Sequence, residues 1–590
     1  MLFKELLLEV HKPGRYIGHE WNVSRKDLSH SMVRFALCFP DLYEVGMSNL
    51  GMRIIYGLLN SLSDVSCERF FSCDTDMEEV LRKGNLNILS LESASKMDKF
   101  DLLGFSLGCE LNYTNILTLL DLGGIPLKSN MRENFHPLVI GGGPCSLNPE
   151  PIHDFFDLFV IGEGEEVILE IIDVYRKQKN RFKSGEISRQ DMLGMLSAIE
   201  GVYAPSLYVV EYNSLGNICG FFPRIPGLPK RIKKRFVKDL NTSYFPEDWL
   251  VPYIQIVHDR LTLEIMRGCP NRCRFCQARQ QYFPFRTRQA ETVLNMARNA
   301  WAKSGYEEIS LCGLSVSDHP QMEELLSEMV GLFRSHGVGI SLPSIKPKSI
   351  VGGLSSLIAT IKKTGLTFAP EAASERMRKI ISKDFDMQDF HRAIEQAYVS
   401  GYQHIKLYFM IGLPYEEEAD LDAIISFAAD ASELRRKIKG RPAQVNISIN
   451  TLIPRPHTPF QWFPMAGLDD IKARQHYIKK KSKNNRLKIS FHDPYMSFLE
   501  GVFARGDRRL SEVILSAFNK GARFDAWSKR FMFSLWQEAF MECKIDPGFY
   551  LRARPADEIL PWDFIDIGIS RESLVDDAGQ AALVKTQVLQ

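Results

Sequence analysis

Three cysteines stand close together near the middle of the chain, in the run Arg267-Gly-Cys-Pro-Asn-Arg-Cys-Arg-Phe-Cys. They are Cys269, Cys273 and Cys276, spaced C-x3-C-x2-C. Iron–sulfur clusters are held by cysteine thiolates, and four are usual where a cluster only relays electrons. Three thiolates leave one iron of a cubane with an open coordination position. The spacing therefore predicts a [4Fe-4S] cluster that takes part in chemistry.

Two other uses of these thiols stay open at the level of sequence. Zinc could be bound by the three thiolates with His258 or Cys312 as fourth ligand. Structural zinc sites usually pair two short knuckles, however, and this chain has no second C-x2-C. A disulfide framework is disfavoured because eleven cysteines in 590 residues are sparse and odd in number.

Composition indicates an ordinary soluble protein of several domains. Apolar residues make up 45% and charged residues 25% of the chain. Charges at Lys4, Glu5 and Glu9 interrupt any signal-peptide core, and no uncharged apolar run reaches the length of a membrane span. Reduced thiols and a cluster fit a cytoplasmic location. The net charge of +1 supplies no global attraction for nucleic acid.

The first part of the chain alternates short apolar runs with amphipathic stretches. This pattern predicts a parallel, doubly wound α/β sheet with its ligands at the carboxyl ends of the strands. The predicted strands are Val33–Cys38, Leu102–Ser106, Leu138–Gly141 and Leu158–Ile161, and the predicted helices are Leu50–Leu62, Thr114–Leu122 and Glu165–Tyr175.

A second βα region follows the cysteines. Six strands are too few for a closed eight-stranded barrel and favour an open one. They are Leu261–Met266, Glu308–Leu311, Gly339–Leu342, Leu366–Ala369, His404–Met410 and Gln444–Asn450, with helices at Glu291–Lys303 and Ser374–Ser382 among the intervening stretches.

We divide the chain into four parts on these patterns. The predicted parts are an α/β domain at 1–215, a linker at 216–255, the βα core at 256–490 and a small, mainly helical C-terminal piece at 491–590. The linker is rich in Pro and Gly and then in Lys and Arg.

The cysteine spacing, with Phe275 just before the third cysteine, closely resembles the radical S-adenosylmethionine (SAM) superfamily, especially its methylthiotransferase-like branch. The resemblance implies a (β/α)6 partial barrel in which the open iron chelates SAM. It also implies that the reduced cluster cleaves SAM to a 5′-deoxyadenosyl radical. Motifs of an uncharacterised branch with a B12-binding-like N-terminal domain continue over residues 30–570.

The resemblance also implies a set of SAM contacts at the ends of successive strands. Phe275 and Gly412 would meet adenine, Gly313 the methionine amino group, and Glu371 the ribose. Ser374 and Arg376 would anchor the cofactor as well, and either Ser344 or Lys346 would face it. Carboxylates suit ribose hydroxyls, and a guanidinium suits the SAM carboxylate. Taken alone, each motif has a simpler interpretation: Gly313 and Gly412 could be ordinary turn glycines, and Glu371 and Arg376 could be ordinary surface charges.

The N-terminal part resembles the cobalamin-binding domain that precedes many radical SAM cores. Tyr43 stands where that family carries the histidine that binds cobalt, in Asp41-Leu-Tyr-Glu-Val-Gly46. The candidate cobalamin contacts are Tyr43, Gly46, Ser106, Gly141 and Gly142. Without the histidine, an α/β domain that binds no cobalamin is an equal alternative.

The remaining cysteine and basic patterns are weaker. Cys38, Cys73 and Cys109 are spaced like a second cluster site, but buried free cysteines are common. Basic runs at Lys230–Lys238 and Lys472–Lys488 could follow RNA phosphates, although solvated faces are more usual.

The sequence thus predicts a radical SAM enzyme with a [4Fe-4S] cluster, SAM and, as a third candidate cofactor, cobalamin. Methylation or RNA modification are the candidate outcomes, and flavodoxin or ferredoxin is the expected type of reductant. A non-catalytic iron–sulfur or corrinoid-sensing protein is the alternative, and RNA binding without chemistry is a third. The catalytic residues, the substrate and the oligomeric state are not identified by the sequence.

Overall fold

The computed structural model describes residues 3–342, 366–383, 385–482 and 485–588. Its N-terminal sheet has the order β2-β1-β3-β4-β5-β6, and only β6 is antiparallel to its neighbour. The strands are β1 (Val33–Phe39), β2 (Val65–Phe71), β3 (Leu102–Ser106), β4 (Leu138–Gly142), β5 (Leu158–Val160) and β6 (Val202–Tyr203). The helices are α1 (Phe3–Leu6), α2 (Tyr43–Gly46), α3 (Leu50–Ser61), α4 (Thr75–Lys83), α5 (Tyr113–Leu122), α6 (Glu165–Lys183) and α7 (Arg189–Ser197).

This sheet confirms the predicted α/β fold and adds two strands that the sequence interpretation missed, β2 and the two-residue strand β6. The central strands are buried along nearly their whole length, as expected for a parallel sheet covered on both faces. The longer of the two missed strands, β2, carries Glu68 and Arg69, which do not fit an apolar pattern. Both are buried, and Arg69 is neutralised by Glu20 and Glu92 at 2.8 and 2.6 Å. Tertiary ion pairing therefore permits charged residues in a buried strand at the edge of this sheet.

The βα core has two parallel sheets, β10-β13-β14 and β15-β16-β17-β18, plus a two-stranded antiparallel pair, β11-β12. The strands are β10 (Leu261–Glu264), β11 (Met266–Arg267), β12 (Arg286–Thr287), β13 (Glu308–Cys312), β14 (Gly339–Ser341), β15 (Leu366–Glu371), β16 (His404–Ile411), β17 (Gln444–Thr451) and β18 (Leu487–Phe491). The helices are α8 (Gln277–Gln281), α9 (Ala290–Ser304), α10 (Met322–Phe333), α11 (Glu375–Ile380), α12 (Met387–Val399), α13 (Glu418–Lys439) and α14 (Leu468–Lys481).

The six predicted core strands are present, and β18 is a seventh. The sequence interpretation placed its residues at the end of the basic run Lys472–Lys488. The strand forms because Leu487 is buried against the core cluster and Ile489 packs beside it, while the alternating Lys488 and Ser490 remain exposed. Helix-facing apolar residues alternate with polar ones along β16 and β17 in the same way.

The intervening segment and the C-terminal piece touch both larger parts. The hairpin β7 (Tyr208–Tyr212) and β8 (Ile218–Pro223) is followed by β9 (Ile232–Lys233), which pairs in parallel with β19 (Ile565–Asp566). The other C-terminal elements are α15 (Pro494–Ala504), α16 (Leu510–Asn519), α17 (Phe533–Glu542), α18 (Gly548–Leu551) and α19 (Arg571–Val588). Trp536 and Trp562 are buried, and the core around Trp536 is continuous with that of the N-terminal sheet. In the described parts of the chain, no helix has the length and apolarity needed to cross a bilayer.

Candidate functional site

The three predicted metal ligands lie in one loop between β11 and α8. The loop begins at Gly268, whose φ of +77° and approach to the Tyr282 carbonyl leave no room for a side chain. Cys269, Cys273 and Cys276 are all half-buried free thiols, and the Cys276 amide donates to the Cys273 carbonyl at 3.2 Å. The short strand β11 and the first turn of α8 thus position all three sulfurs.

The three thiols influence one another electrostatically, as the causes of the pKa shifts of Cys273 and Cys276 indicate. Burial raises the pKa of Cys273 to about 11, and the nearby Lys383 ammonium opposes that rise. Burial also raises the pKa of Cys276, and Cys269 acts electrostatically on both other thiols. Iron binding would displace the protons of these thiols, because a coordinating cysteine is deprotonated.

The arrangement fits a cluster better than a single ion. Among the residues that the structure describes, no three His, Cys, Asp or Glu side chains converge as the ligands of one ion would. Zinc needs such convergence, whereas each cysteine of a cubane binds a separate iron. Cys312 has Glu264 and Arg260 as electrostatic neighbours, and the His258 amide donates to Ser48. All eleven cysteines are free, so the disulfide alternative is wrong.

A carboxylate and an ammonium lie beside the thiols. The Lys383 Nζ atom is 3.1 Å from Glu371 Oε1 and 5.9 Å from the centre of the Phe275 ring. Glu371 ends β15 with a φ of +67°, where the strand register shifts. Strained backbone of this kind is concentrated at functional sites. Lys383 was missed by sequence reasoning, because one lysine after a helix carries no distinguishing signal.

An apolar cluster formed at the ends of β15, β16 and β17 lies against the same loop. Phe275 packs against it, and its members include Met377, Ile380, Met410 and Leu413. The structure therefore brings Phe275 to the end of the fifth core strand, where the sequence predicted an adenine contact.

The other predicted SAM contacts within the described residues have protein partners. The Ser374 hydroxyl donates to Asp420 at 2.6 Å, and the Arg376 guanidinium pairs with the same carboxylate. The Gly412 amide donates to Glu416 at 2.9 Å. Gly313 lies over Met266, so that a methyl group there would be 2.4 Å from the Met266 Cγ atom. Ser344 and Lys346 fall outside the described residues.

The candidate cobalamin residues are mostly committed to internal packing. Tyr43 is buried, and its hydroxyl donates to Glu20 at 2.9 Å, so it does not fit as a cobalt ligand. A side chain at Gly46 would meet the Phe71 ring at 2.3 Å. A side chain at Gly141 would meet Leu107 and Phe159 at 2.8 Å.

Ser106 and Gly142 alone of that set lie half-buried at the carboxyl edge of the sheet. The C-terminal piece covers much of this edge. The Trp527 indole donates to the Asp41 carboxylate at 3.0 Å, and the Phe524 backbone amide donates to the Asn115 side chain at 2.9 Å. The edge is therefore largely filled by the chain itself.

The second cysteine set lies at buried and half-buried positions of the N-terminal domain. Cys38 and Cys73 are buried in the N-terminal core, and burial raises the pKa of each. Cys109 is half-buried, and its electrostatic neighbours are Glu500, Glu110 and Arg455.

Two family models match the chain. The N-terminal model of radical SAM proteins matches residues 51–205, and the model of the radical SAM superfamily matches residues 263–428. An uncharacterised protein of Methanocaldococcus jannaschii is 27% identical over 510 residues, which are 84% of this chain and 96% of that protein.

Two further likenesses cover different shares of the chain. The ribosomal protein uS12 methylthiotransferase RimO of Pelotomaculum thermopropionicum is 25% identical over 203 residues, which are 32% of this chain and 44% of that enzyme. The radical SAM methyltransferase TsrM from Kitasatospora setae, solved with cobalamin and a [4Fe-4S] cluster, aligns with a TM-score of 0.50 at 12% identity. That alignment covers 87% of this chain and 99% of TsrM, and at such identity it concerns the fold alone.

The two matched ranges cover more than half of the chain, and the cysteine loop lies inside the second. Together with the parallel βα core around that loop, they identify the chain as a member of the radical SAM superfamily with a radical SAM N-terminal domain ahead of its core.

Proposed function

We propose that this protein is an enzyme that cleaves SAM reductively and uses the resulting 5′-deoxyadenosyl radical to abstract hydrogen from a substrate. Cys269, Cys273 and Cys276 would hold the [4Fe-4S] cluster. When bound and reduced, that cluster supplies the electron that breaks the carbon–sulfur bond of SAM. The protein supplies binding, orientation and exclusion of water.

One observation carries this proposal: the Glu371–Lys383 pair lies beside the three half-buried thiols, and the Phe275 ring belongs to the same loop as those thiols. An acceptor for hydroxyls, a positive charge and an aromatic surface are the groups that recognise a nucleoside with a charged amino-acid tail. Glu371 would accept the ribose hydroxyls, and Phe275 would contact the adenine. Lys383 would balance the charge of the thiolates or face the carboxylate of SAM.

Ser374, Arg376 and Gly412 would act through the loops that they hold. The Asp420 carboxylate accepts hydrogen bonds from the Ser374 hydroxyl and the Arg376 guanidinium. It also accepts from the Glu417 backbone amide at 2.9 Å, at the start of α13. This network ties the turn after β15 to the turn after β16. We therefore propose that this network shapes the SAM pocket. Arg376 could contact SAM directly only if its guanidinium left Asp420 for the carboxylate of SAM.

The substrate would lie on the concave face of the core sheets. In the register of β16, β17 and β18, Lys406, Asn446 and Lys488 form one row, and Tyr408, Ser448 and Ser490 the next. All six are half-buried or exposed, whereas the intervening residues of β16 and β17 pack against helices. A polar face of this kind favours a hydrogen-bonding substrate over a lipid-like one.

We assign no step to cobalamin. Tyr43 is turned into a buried ion-pair network, and the sheet edge is covered by the C-terminal piece. Methyl or methylthio transfer is the reaction class that the names of the relatives suggest. The ribosomal protein in the name of RimO makes a protein substrate a candidate here, beside the RNA substrate that the sequence suggested.

We further propose a small reductant of the flavodoxin or ferredoxin type and a cytoplasmic location. Both rest on the eleven free thiols and on a cluster that needs a low-potential electron.

The proposal is tested by anaerobic reconstitution with iron and sulfide, followed by SAM and dithionite. We expect 5′-deoxyadenosine from the unaltered protein and none from Cys273→Ala, which should also lose most of its iron. Cys219→Ala, at an exposed free cysteine, is the matched control and should keep both. Two results would contradict the proposal: zinc without iron in anoxically purified protein, or a cluster whose spectrum does not change when SAM is added.

A further inference from the structure

A buried ion-pair network joins the N-terminal domain to the strands that flank the cysteine loop. Glu163 follows β5, and its carboxylate accepts from Arg267 at 2.9 Å and from Arg286 at 2.6 and 3.0 Å. Arg267 directly precedes Gly268 and Cys269, and Arg286 lies opposite it in the β11–β12 pair. One carboxylate thus holds both strands at the base of the loop.

Arg267 is enclosed by acidic groups. Besides Glu163 it pairs with Glu165 and, at 2.9 Å, with Glu264. The side chains of Arg267 and Glu163 are only 5% and 4% exposed. Burial opposes ionisation of Glu163, but hydrogen bonds from Arg286 and the charge of Arg267 outweigh it and lower the pKa of that carboxyl. The network therefore stays charged and paired at neutral pH.

The segment between the domains completes the support from the other side. Lys234 is buried and donates to the carbonyls of Gln280, Gln281 and Phe283 at 2.8–2.9 Å. Gln280 and Gln281 end α8 and Phe283 follows it, while Cys276 directly precedes the first residue of that helix. The backbone amide of Val237 also donates to Glu163 at 2.8 Å. Lys234 is therefore not the solvated linker charge that the sequence suggested for Lys230–Lys238.

A tight turn brings Glu163 to this position. Gly162 has a φ of +106°, and a side chain there would be 2.1 Å from the Arg235 carbonyl. The Glu163 amide donates to that same carbonyl at 3.0 Å. The Gly-Glu-Gly-Glu run at 162–165 thus points its carboxylates at the base of the cysteine loop.

We infer that Glu163 is a positioning residue for the three cysteines: through Arg267 and Arg286 it sets the geometry of the loop that presents their thiols. The inference deepens the proposed function, on which its cluster readout rests. Outer partners that orient metal ligands typically change metal affinity or activity by about 10–100-fold when they are removed. Glu163 lies outside the cysteine motif by more than a hundred residues, and only the fold brings it there.

The experiment uses the full chain in two states. In the metal-free protein, alkylation of each cysteine is timed by peptide mass spectrometry. Glu163→Gln should accelerate alkylation of Cys269, Cys273 and Cys276 about 10-fold or more and leave Cys219 unchanged. In the reconstituted protein, the same variant should retain less iron and give an altered electron paramagnetic resonance spectrum of the reduced cluster.

Two further variants separate positioning from general stability. Glu163→Asp keeps the charge and should restore part of the wild-type spectrum and alkylation rate. Glu170→Gln removes a more exposed carboxylate that pairs with Arg235 at 2.7 Å, and it should leave both readouts unchanged. If Glu163→Gln fails to fold, Arg286→Lys replaces it, because lysine cannot reproduce the forked contact of arginine.

Unchanged alkylation rates and an unchanged spectrum in a folded Glu163→Gln protein would overturn the inference. Equal acceleration at Cys219 would also overturn it, because that result indicates global loosening. A wild-type protein that binds no cluster would defeat the proposed function alone, since the alkylation rates of the metal-free protein still report on the loop.

Discussion

The carboxyl edges of the two parallel-sheet regions are used in opposite ways. In the N-terminal domain, polar groups at this edge are bonded within the protein: Tyr43 to Glu20, and Asp41 to Trp527 of the C-terminal piece. In the core, the corresponding edge carries three half-buried thiols and a half-buried carboxylate–ammonium pair. Parallel sheets bind ligands at their carboxyl edges, but only where the edge stays accessible.

The comparison shows that the N-terminal domain also acts on the core. The N-terminal domain supplies the Glu163 carboxylate to the core and receives the C-terminal piece on its other loops. Its elements thus position the cysteine loop, whereas its own edge is filled by side chains of the same chain.

The largest expected effect tests whether the N-terminal edge is structural. Glu20→Gln removes the carboxylate charge that accepts from Arg69 and Tyr43 while Glu92 still pairs with Arg69, and it should lower the free energy of unfolding by about 2–4 kcal/mol because buried hydrogen bonds to a charged group are lost. Urea unfolding checks the loss. Retained iron content per folded molecule is expected, and loss of the cluster with unchanged stability would contradict the division of roles.

A smaller effect is expected at the core edge, on binding alone. Glu371→Gln should weaken SAM by about 10–100-fold, because a hydrogen bond to a charged group contributes about 1.5–3 kcal/mol. The apparent KM for SAM in 5′-deoxyadenosine formation measures it. Glu375→Gln, an exposed carboxylate at the start of α11 that pairs with Lys379, is the matched control. Equal KM values for the two variants would remove Glu371 from the site.

The smallest effect concerns the contact between the two regions. Burial lowers the pKa of His457 and of His153 to about 3, and their ring nitrogens bond to the Leu147 carbonyl and to Ser511. Between pH 6.5 and about 3 the unfolded chain binds more protons than the folded one, so stability falls as pH falls.

Each buried histidine should therefore cost about 1 kcal/mol between pH 6.5 and 5.5. Urea unfolding across this range measures the slope. His457→Gln should reduce it, whereas His336→Gln, at an exposed position, should not. A slope that is the same in both variants would show that His457 is not the buried neutral group described here.

Much of the architecture was predictable from local pattern. Four strands of the first sheet and all six expected core strands are present, because their apolar runs have the length and bounds of buried strands. Strands β2 and β18 were missed for the same physical reason: Glu68, Arg69 and Lys488 break the apolar pattern, and only tertiary pairing or edge exposure makes them tolerable.

The site was predictable only in part. Cys269, Cys273 and Cys276 are neighbours in sequence, so their spacing alone predicted a common loop. Lys383 and Glu163 approach that loop from distant segments, and no local signal marks either of them. The assignment of Tyr43 to a cobalamin contact rested on its position in a motif, and its burial beside Glu20 could not be read from that motif.

By itself, the amino-acid sequence determined the ligand chemistry and the succession of strands and helices, because thiolate spacing and apolar periodicity act over a few residues. The tertiary structure alone decided which carboxylates reach the cysteine loop and which sheet edge stays open. Those outcomes depend on how buried charges are paired between segments far apart in the chain, and such pairing is settled only when the domains pack together.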